Sequence, residues 1–326
     1  MVETLKAVAE PSRLRVLKLL RANDLTVSDL TMILGQSQPR VSRHLKLLQE
    51  AGLIHRWQEG SWALFRVTRT GAAAALLPPI FEAVLEADDI FLRDQERLTA
   101  VKTERRERAK KYFAANAQSW DDIRSLHVAD EVIEAELSRI VGEGPFNHVL
   151  DIGTGTGRLL EVLAPKARSA IGIDSSREML NVARANLDAS GVANAEVRYG
   201  DAYDLSLGRD QFDLIVIHQV LHFLDNPQAA IREAVRALAP SGRLIIVDFA
   251  PHANEHLRDQ HQHQRLGFST DTIQSWLEDA DLRTEPEITI SSEVADQSDP
   301  LTVMIWTAQD TRMLIADDNY SQKRVA

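Results

Sequence analysis

From His148 to Phe249 the chain alternates short, continuous apolar runs with helix-forming stretches. No other feature restricts its fold as much. HVLDIG, SAIGID, AEVRYGD, FDLIVIH and GRLIIVDF read as five strands. Their near-continuous apolar character fits strands covered on both faces. Helices are expected after Gly157, over Arg177–Ala189 and over Pro227–Leu238. Strands alternating with helices form a parallel, doubly wound sheet through right-handed crossovers. Ligands bind such sheets beyond the carboxyl ends of the strands, so the residues after each strand are the candidate site.

The first strand runs into Asp151-Ile152-Gly153-Thr154-Gly155-Thr156-Gly157. Glycine loops also serve dinucleotides. Here, however, the spacing is GxGxG and an aspartate precedes it, and a carboxylate disfavours a pyrophosphate and favours a cation. The glycines allow close backbone approach. The second strand ends in Asp174, whose carboxylate can accept both hydroxyls of a ribose. After the third strand, Asp201 can accept from an adenine amino group and the Ala202 N–H can donate to the ring. Met179, one turn into the second helix, is placed to pack on that ring.

The runs VLDIGTGTGRL, IGIDSSREML, GDAYDL, FDLIVIHQVLHFLDNPQAAIREAVRALAPSGRLIIVDF and RLGFS span roughly 145–270. They resemble the class I S-adenosylmethionine (SAM)-dependent methyltransferases, nearest a quinone-biosynthesis-like branch. The resemblance implies SAM or S-adenosylhomocysteine (SAH) as cofactor, with Asp151, Gly153, Gly155, Asp174, Ser175, Met179, Asp201, Ala202 and His218 as its binding residues. YFAANAQSWDDIR resembles the lid helices of such enzymes. Tyr112, Trp120 and Arg124 would then border the cofactor, the other reading being a plain packing helix.

Methyl transfer from a sulfonium proceeds by in-line displacement, so proximity and desolvation supply much of the rate and a general base is optional. His218 and His222 flank the end of the fourth strand, and His218 is the candidate base or a pocket wall. His252 and His256 have the i, i+4 spacing of a metal pair on a helix, though a solvated or pocket-lining run is the reading preferred, and no metal is expected. The sequence has no cysteine, which excludes disulfides, thiolate nucleophiles, cytosine C5 chemistry and thiolate handling of arsenite. His218-Gln219-Val220-Leu221 also lacks the acidic or amide residue, two prolines and aromatic of DNA amino methylation.

Charge is divided unevenly. Residues 1–70 hold eleven Lys and Arg against six Asp and Glu, a net of +5, within a chain of net charge −11. A basic head on an acidic protein suits a polyanionic partner. In that head Pro11 breaks a helical apolar run and Ser12 is placed to cap the next helix. Thr26 and Gly35 bracket a short helix, and Ser37 opens a third with Pro39 in its first turn. Val41, Leu45 and Leu48 share one face of that third helix, and two strands flank Gln58-Glu59-Gly60-Ser61. The order is that of a winged helix-turn-helix, whose second helix enters the major groove.

EPSRLRVLKLL and LTVSDLTMILGQSQPRVSRHLKLLQEAGLI resemble the ArsR family of bacterial regulators. Carried onto this sequence, the resemblance makes Gln38, Ser42 and Arg43 base-edge candidates and Arg40 and Lys46 phosphate candidates. Wing residue Arg56 or Arg66 would also meet phosphates. His44 reads as a packed helix residue. LTVSDL stands where metal sensors of the family carry cysteines.

Pro78-Pro79 is expected to open a long helix with Ile80, Phe81, Val84, Leu85, Phe91, Leu92, Leu98 and Val101 on its apolar side, and KTERRERAKK a solvated helical linker. The expected organisation is an α/β chain: an N-terminal winged helix-turn-helix (1–70), dimerisation and linker helices (71–110), a C-terminal doubly wound Rossmann-like methyltransferase domain (111–310) and a mobile tail (311–326). A homodimer on operator DNA, a cytoplasmic location and no membrane association are expected. Three functions compete: a regulator, expected to repress, that senses SAM or SAH; a small-molecule methyltransferase regulating its own operon; and a targeted nucleic-acid methylase.

Overall fold

The computed structural model describes residues 2–59, 61–68, 71–83, 89–120, 123, 130–291 and 301–312. Val84, Leu85, Gly60, Arg124 and the tail beyond Arg312 lie outside the described residues. The chain forms two compact units, Met1–Arg108 and Ala109–Ala326.

The first unit opens with α1 (Val2–Val8) and α2 (Pro11–Leu20), followed by β1 (Leu25–Thr26), α3 (Val27–Leu34) and α4 (Gln38–Glu50). Glu10, not Ser12, caps α2: its carboxylate accepts the Arg13 N–H, and Pro11 occupies the first turn. A carboxylate does this better than a hydroxyl because it also meets the positive end of the helix. Thr26 and Asp29 form a reciprocal capping box on α3, and Gly35 ends that helix at φ +64°. The wing is β2 (Ile54–Glu59) paired antiparallel with β3 (Trp62–Val67). A third strand, β1, pairs with β3 and was not evident from two residues of sequence.

Val41, Leu45 and Leu48 of α4 are buried in a core with Val16, Leu20, Leu30 and Ile33. His44 is buried with them, its Nδ1 3.6 Å from Glu10. Burial holds its pKa below the usual histidine range, and Arg13, Arg40 and Arg43 add to that while Glu10 opposes it.

Beyond the wing come α5 (Gly71–Ala74), α6 (Leu77–Ala83) and the 28-residue α7 (Asp89–Asn116). The polar run expected to be solvated is partly engaged. Arg105 pairs with Asp29, and Lys102 Nζ donates to Asn23 at 2.6 Å. Further back, Asp94 receives two hydrogen bonds from Arg15, at 2.6 and 2.7 Å, with both side chains nearly out of water. These pairs give a helix with few buried apolar residues its hold on the head.

The second unit continues with α8 (Asp130–Val141), β4 (Phe146–Ile152), α9 (Arg158–Leu163), β5 (Ala167–Asp174), α10 (Arg177–Ala189), β6 (Ala195–Tyr199), β7 (Phe212–His218), α11 (Pro227–Ala237) and β8 (Leu238–Phe249). α12 (His256–His261), α13 (Thr270–Glu278), β9 (Leu282–Thr284), β10 (Ile288–Ser291) and β11 (Thr302–Asp310) follow. The five expected strands are parallel, in the order β8-β7-β4-β5-β6. The sheet is not wholly parallel, however. β11 runs antiparallel beside β8 and carries β10 and β9.

Alternate residues of the strands feed two cores. Val149, Leu214, Val216, Ile245 and Val247 lie on one face, and Leu150, Ile152, Ile215, Ile217, Leu244 and Ile246 on the other. Arg312, assigned to the tail from sequence, pairs with Asp310 and Asp210.

Asp94→Ala leaves the Arg15 guanidinium buried without its carboxylate and is expected to destabilise the first unit by about 3–5 kcal/mol. Chemical denaturation of the full chain measures this, and adding Arg15→Met is expected to recover much of the loss.

Candidate functional site

The parallel strands end side by side, which brings the sequence-predicted residues to one edge of the sheet. β4 delivers buried Asp151 into the glycine loop. The loop turns back at once, because the Gly153 and Thr154 N–H groups both donate to the Ile173 carbonyl of β5, at 2.7 and 3.0 Å. Gly153, Gly155 and Gly157 all take positive φ.

Two of the three glycines are also required by packing within the protein. A Cβ on Gly153 would lie 2.2 Å from Val220 Cγ2, and one on Gly157 would lie 3.1 Å from Ala183. Val220 is aimed at the loop by Gln219, whose φ of 54° marks a sharp turn after β7. A Cβ on Gly155 would meet the Trp120 indole at an ordinary 3.7 Å.

Asp174, at the end of β5, accepts the Gly155 N–H on Oδ2 at 2.9 Å and the Ser176 N–H on Oδ1 at 2.8 Å. Burial pushes its carboxyl above the usual carboxylate range, with the backbone donors of Ser176, Gly155 and Ser175 opposing. A carboxylate oxygen has more than one acceptor position, so each retains capacity for a hydroxyl. Ser175 is exposed beside it, and Ser176 caps α10 by accepting the Met179 N–H. Met179 is buried. Asp201 is exposed after β6 and accepts the Tyr203 N–H at 3.0 Å, next to half-buried Ala202. His218 is half-buried at the end of β7.

The sequence reading missed an aromatic cluster. Phe113 meets Trp120 and Phe223 edge-on, at ring-centroid distances of 5.2 and 4.9 Å. Phe223 lies beside His222, whose ring is 4.2 Å from that of His263 and 5.0 Å from that of Phe249. Tyr112 Oη lies 2.7 Å from His261 Nδ1. Burial pushes the tyrosine up and the histidine down, so both are neutral at neutral pH. The residues come from α7 and the chain just after it, the loop after β7, the end of β8, and α12 and the chain just after it, which no local pattern links.

The histidine run takes a different form from the i, i+4 reading. α12 starts at His256, so His252 is not on the same helix. Among the described residues no group of three His, Cys, Asp or Glu is placed to hold a metal. None of the described helices is long and apolar enough to cross a membrane.

On the first unit, Gln38, Arg40, Ser42, Arg43 and Lys46 are all exposed on α4, opposite its buried face. Arg56 is exposed on the wing and donates to Gln58 at 2.9 Å. Arg66, the other wing candidate, is instead paired with Asp24 and largely buried.

A family model described as a bacterial regulatory protein of the ArsR family matches residues 10–56, and one described as a methyltransferase domain matches residues 146–304. The chain therefore carries an ArsR-family helix-turn-helix domain followed by a methyltransferase domain. An uncharacterized methyltransferase, YcgJ of Bacillus subtilis, is 35% identical over 106 residues, which is 32% of this chain and 42% of that protein. The arsenite methyltransferase of Aquipseudomonas alcaligenes is 37% identical over 122 residues, or 34% of this chain and 35% of that protein. The chain thus spans less than half the length of these relatives. The crystal structure of the N-methyltransferase NodS from Bradyrhizobium japonicum, in complex with SAH, shares the fold. Its TM-score is 0.51 at 20% identity, covering 62% of this chain and 98% of that one.

Gly153→Ala is expected to destabilise the second unit by about 1–3 kcal/mol, from positive φ and the collision with Val220. Gly153→Ala with Val220→Ala is expected to recover the collision part alone, as read by a double-mutant cycle in thermal or chemical unfolding.

Proposed function

We propose that this protein is a DNA-binding transcriptional regulator, acting as a homodimeric repressor in the cytoplasm, whose methyltransferase domain binds SAM or SAH as its effector. One observation carries the reading: the single helix α7 belongs to both units. Its earlier part holds the head through Asp94, Lys102 and Arg105, and its last turns supply Tyr112 and Phe113 to the aromatic cluster beside the glycine loop. In this reading, ligand binding in the second unit and DNA binding in the first are coupled. Such coupling requires different ligand affinities in the DNA-bound and DNA-free states, typically about 1–3 kcal/mol, or 5- to 150-fold.

The residues present fit this cofactor. Asp174 retains acceptor capacity for the ribose hydroxyls, Asp201 and Ala202, just after β6, would read the adenine, and Asp151 would suit an ammonium. Trp120, whose indole lies beside Gly155, is a side chain of the kind that attracts a sulfonium. When bound, SAM supplies an activated methyl group. On the head, Gln38, Ser42 and Arg43 would face base edges, and Arg40, Lys46 and Arg56 phosphates. The second reading, methyl transfer to a small molecule, is favoured by one specific feature, the buried His222–Asp248 pair developed below.

Fluorescence anisotropy on DNA from the protein's own promoter, at fixed salt, tests the regulator reading. SAH and SAM, titrated separately, are expected to shift operator affinity by different amounts. No shift by either, with both bound, would remove the effector role. Asp174→Ala is expected to lose the ligand response and keep DNA binding, and Arg43→Ala to weaken DNA binding while leaving SAH affinity intact.

Hydroxyl donors favour the ionised form of Asp174, whose pKa is raised in the free protein. SAH affinity is therefore expected to fall as pH is lowered through that raised pKa, whereas Asp174→Asn shows little dependence there. Isothermal titration calorimetry measures both.

A further inference from the structure

His222 and Asp248 form a buried pair. His222 Nδ1 lies 2.8 Å from Asp248 Oδ1, and Asp248 Oδ2 accepts the His222 backbone N–H at 3.3 Å. Oδ1 also accepts the Phe249 N–H at 2.8 Å, so the carboxylate is anchored in β8 with no exposed surface. A carboxylate accepts only, so Nδ1 carries the proton, and in the neutral ring the lone pair is then on Nε2. This is the orientation an acid gives to a basic imidazole. His218, the candidate base from sequence, lies half-buried at the end of β7.

We propose that His222, oriented by Asp248, is the base that receives the proton of a methyl acceptor. The acceptor is a flat, uncharged ring bearing a hydroxyl. The inference rests on the methyl-transfer reading of the site. Its second part comes from the surroundings of the pair. The His222 ring lies among those of Phe223, Phe249 and His263, and Phe223 continues to Phe113 and Trp120. Rings, whose faces are negative, suit a planar neutral guest better than an anion.

In the step, the acceptor oxygen forms a bond to the methyl carbon as the carbon–sulfur bond breaks. The bonding pair stays on sulfur, leaving a thioether, and the hydroxyl proton passes to His222 Nε2. Asp248 is a positioning residue and remains ionised.

The test is read from the ring rather than from turnover. The wild-type chain, labelled with 15N-histidine, is titrated with pH by NMR alone, with SAH and with SAM. Asp248→Asn and His222→Gln assign the His222 signals. A base that faces the methyl position senses the sulfonium charge, which SAH lacks, through Coulomb interaction over a few ångströms. The His222 signals are therefore expected to change over a pH range about one unit lower with SAM than with SAH. Both ligands binding with identical His222 titrations would overturn the role and leave a purely structural pair.

Binding of neither ligand, seen by calorimetry, would instead remove the cofactor reading itself. For the acceptor, labelled SAM is offered with 2-naphthol, catechol or benzylamine. Label entering the two phenols with a rate that falls on Asp248→Asn supports the class. Label entering only the amine overturns it.

Discussion

The site depends on one backbone arrangement, the Ile173 carbonyl accepting from both Gly153 and Thr154. That pairing turns the chain sharply at the end of β4 and fixes the loop against β5. The next residue of β5, Asp174, then reaches the Gly155 amide. Loop and carboxylate position one another, and both stand at the end of a sheet buried on two faces. A Cβ at Gly153 cannot coexist with Val220 as placed, so the turn and the packing of the loop after β7 form one constraint.

A second constraint is electrostatic. α7 buries little apolar surface, yet it holds the head through Arg15–Asp94, Arg105–Asp29 and Lys102–Asn23. Buried ion pairs contribute less net stability than their contacts imply, because desolvation offsets attraction. They do restrict register: a charge moved away from its partner inside the core is costly. The aromatic cluster at the other end of the same helix is neutral by contrast, with Tyr112 and His261 both uncharged. One end of α7 is set by charge and the other by ring packing.

Much of this was legible in sequence, and the reason is local. Five apolar runs with helical spacing between them have few other ways to fold, and α10 and α11 have boundaries close to those their capping and periodicity imply. Thr26, Gly35 and Pro39 set the head in the same way. Where the reading went astray, a distant partner intervened. Arg66 resembled a phosphate ligand until Asp24 was found beside it. The polar run of α7 resembled a solvated linker because Asp29 and Asn23 lie more than seventy positions away. The antiparallel β11 is as apolar as a parallel strand, so its direction left no mark on its composition.

By itself the sequence determined the two folds and the residues at the strand ends, because helix periodicity, glycine freedom and alternating burial act over a few positions. Tertiary structure alone decided which glycines pack against other side chains, which arginines are committed to carboxylates, and that His222 faces Asp248. Those outcomes depend on contacts between residues 26 to 79 positions apart, brought together only by the packed sheet and the long helix.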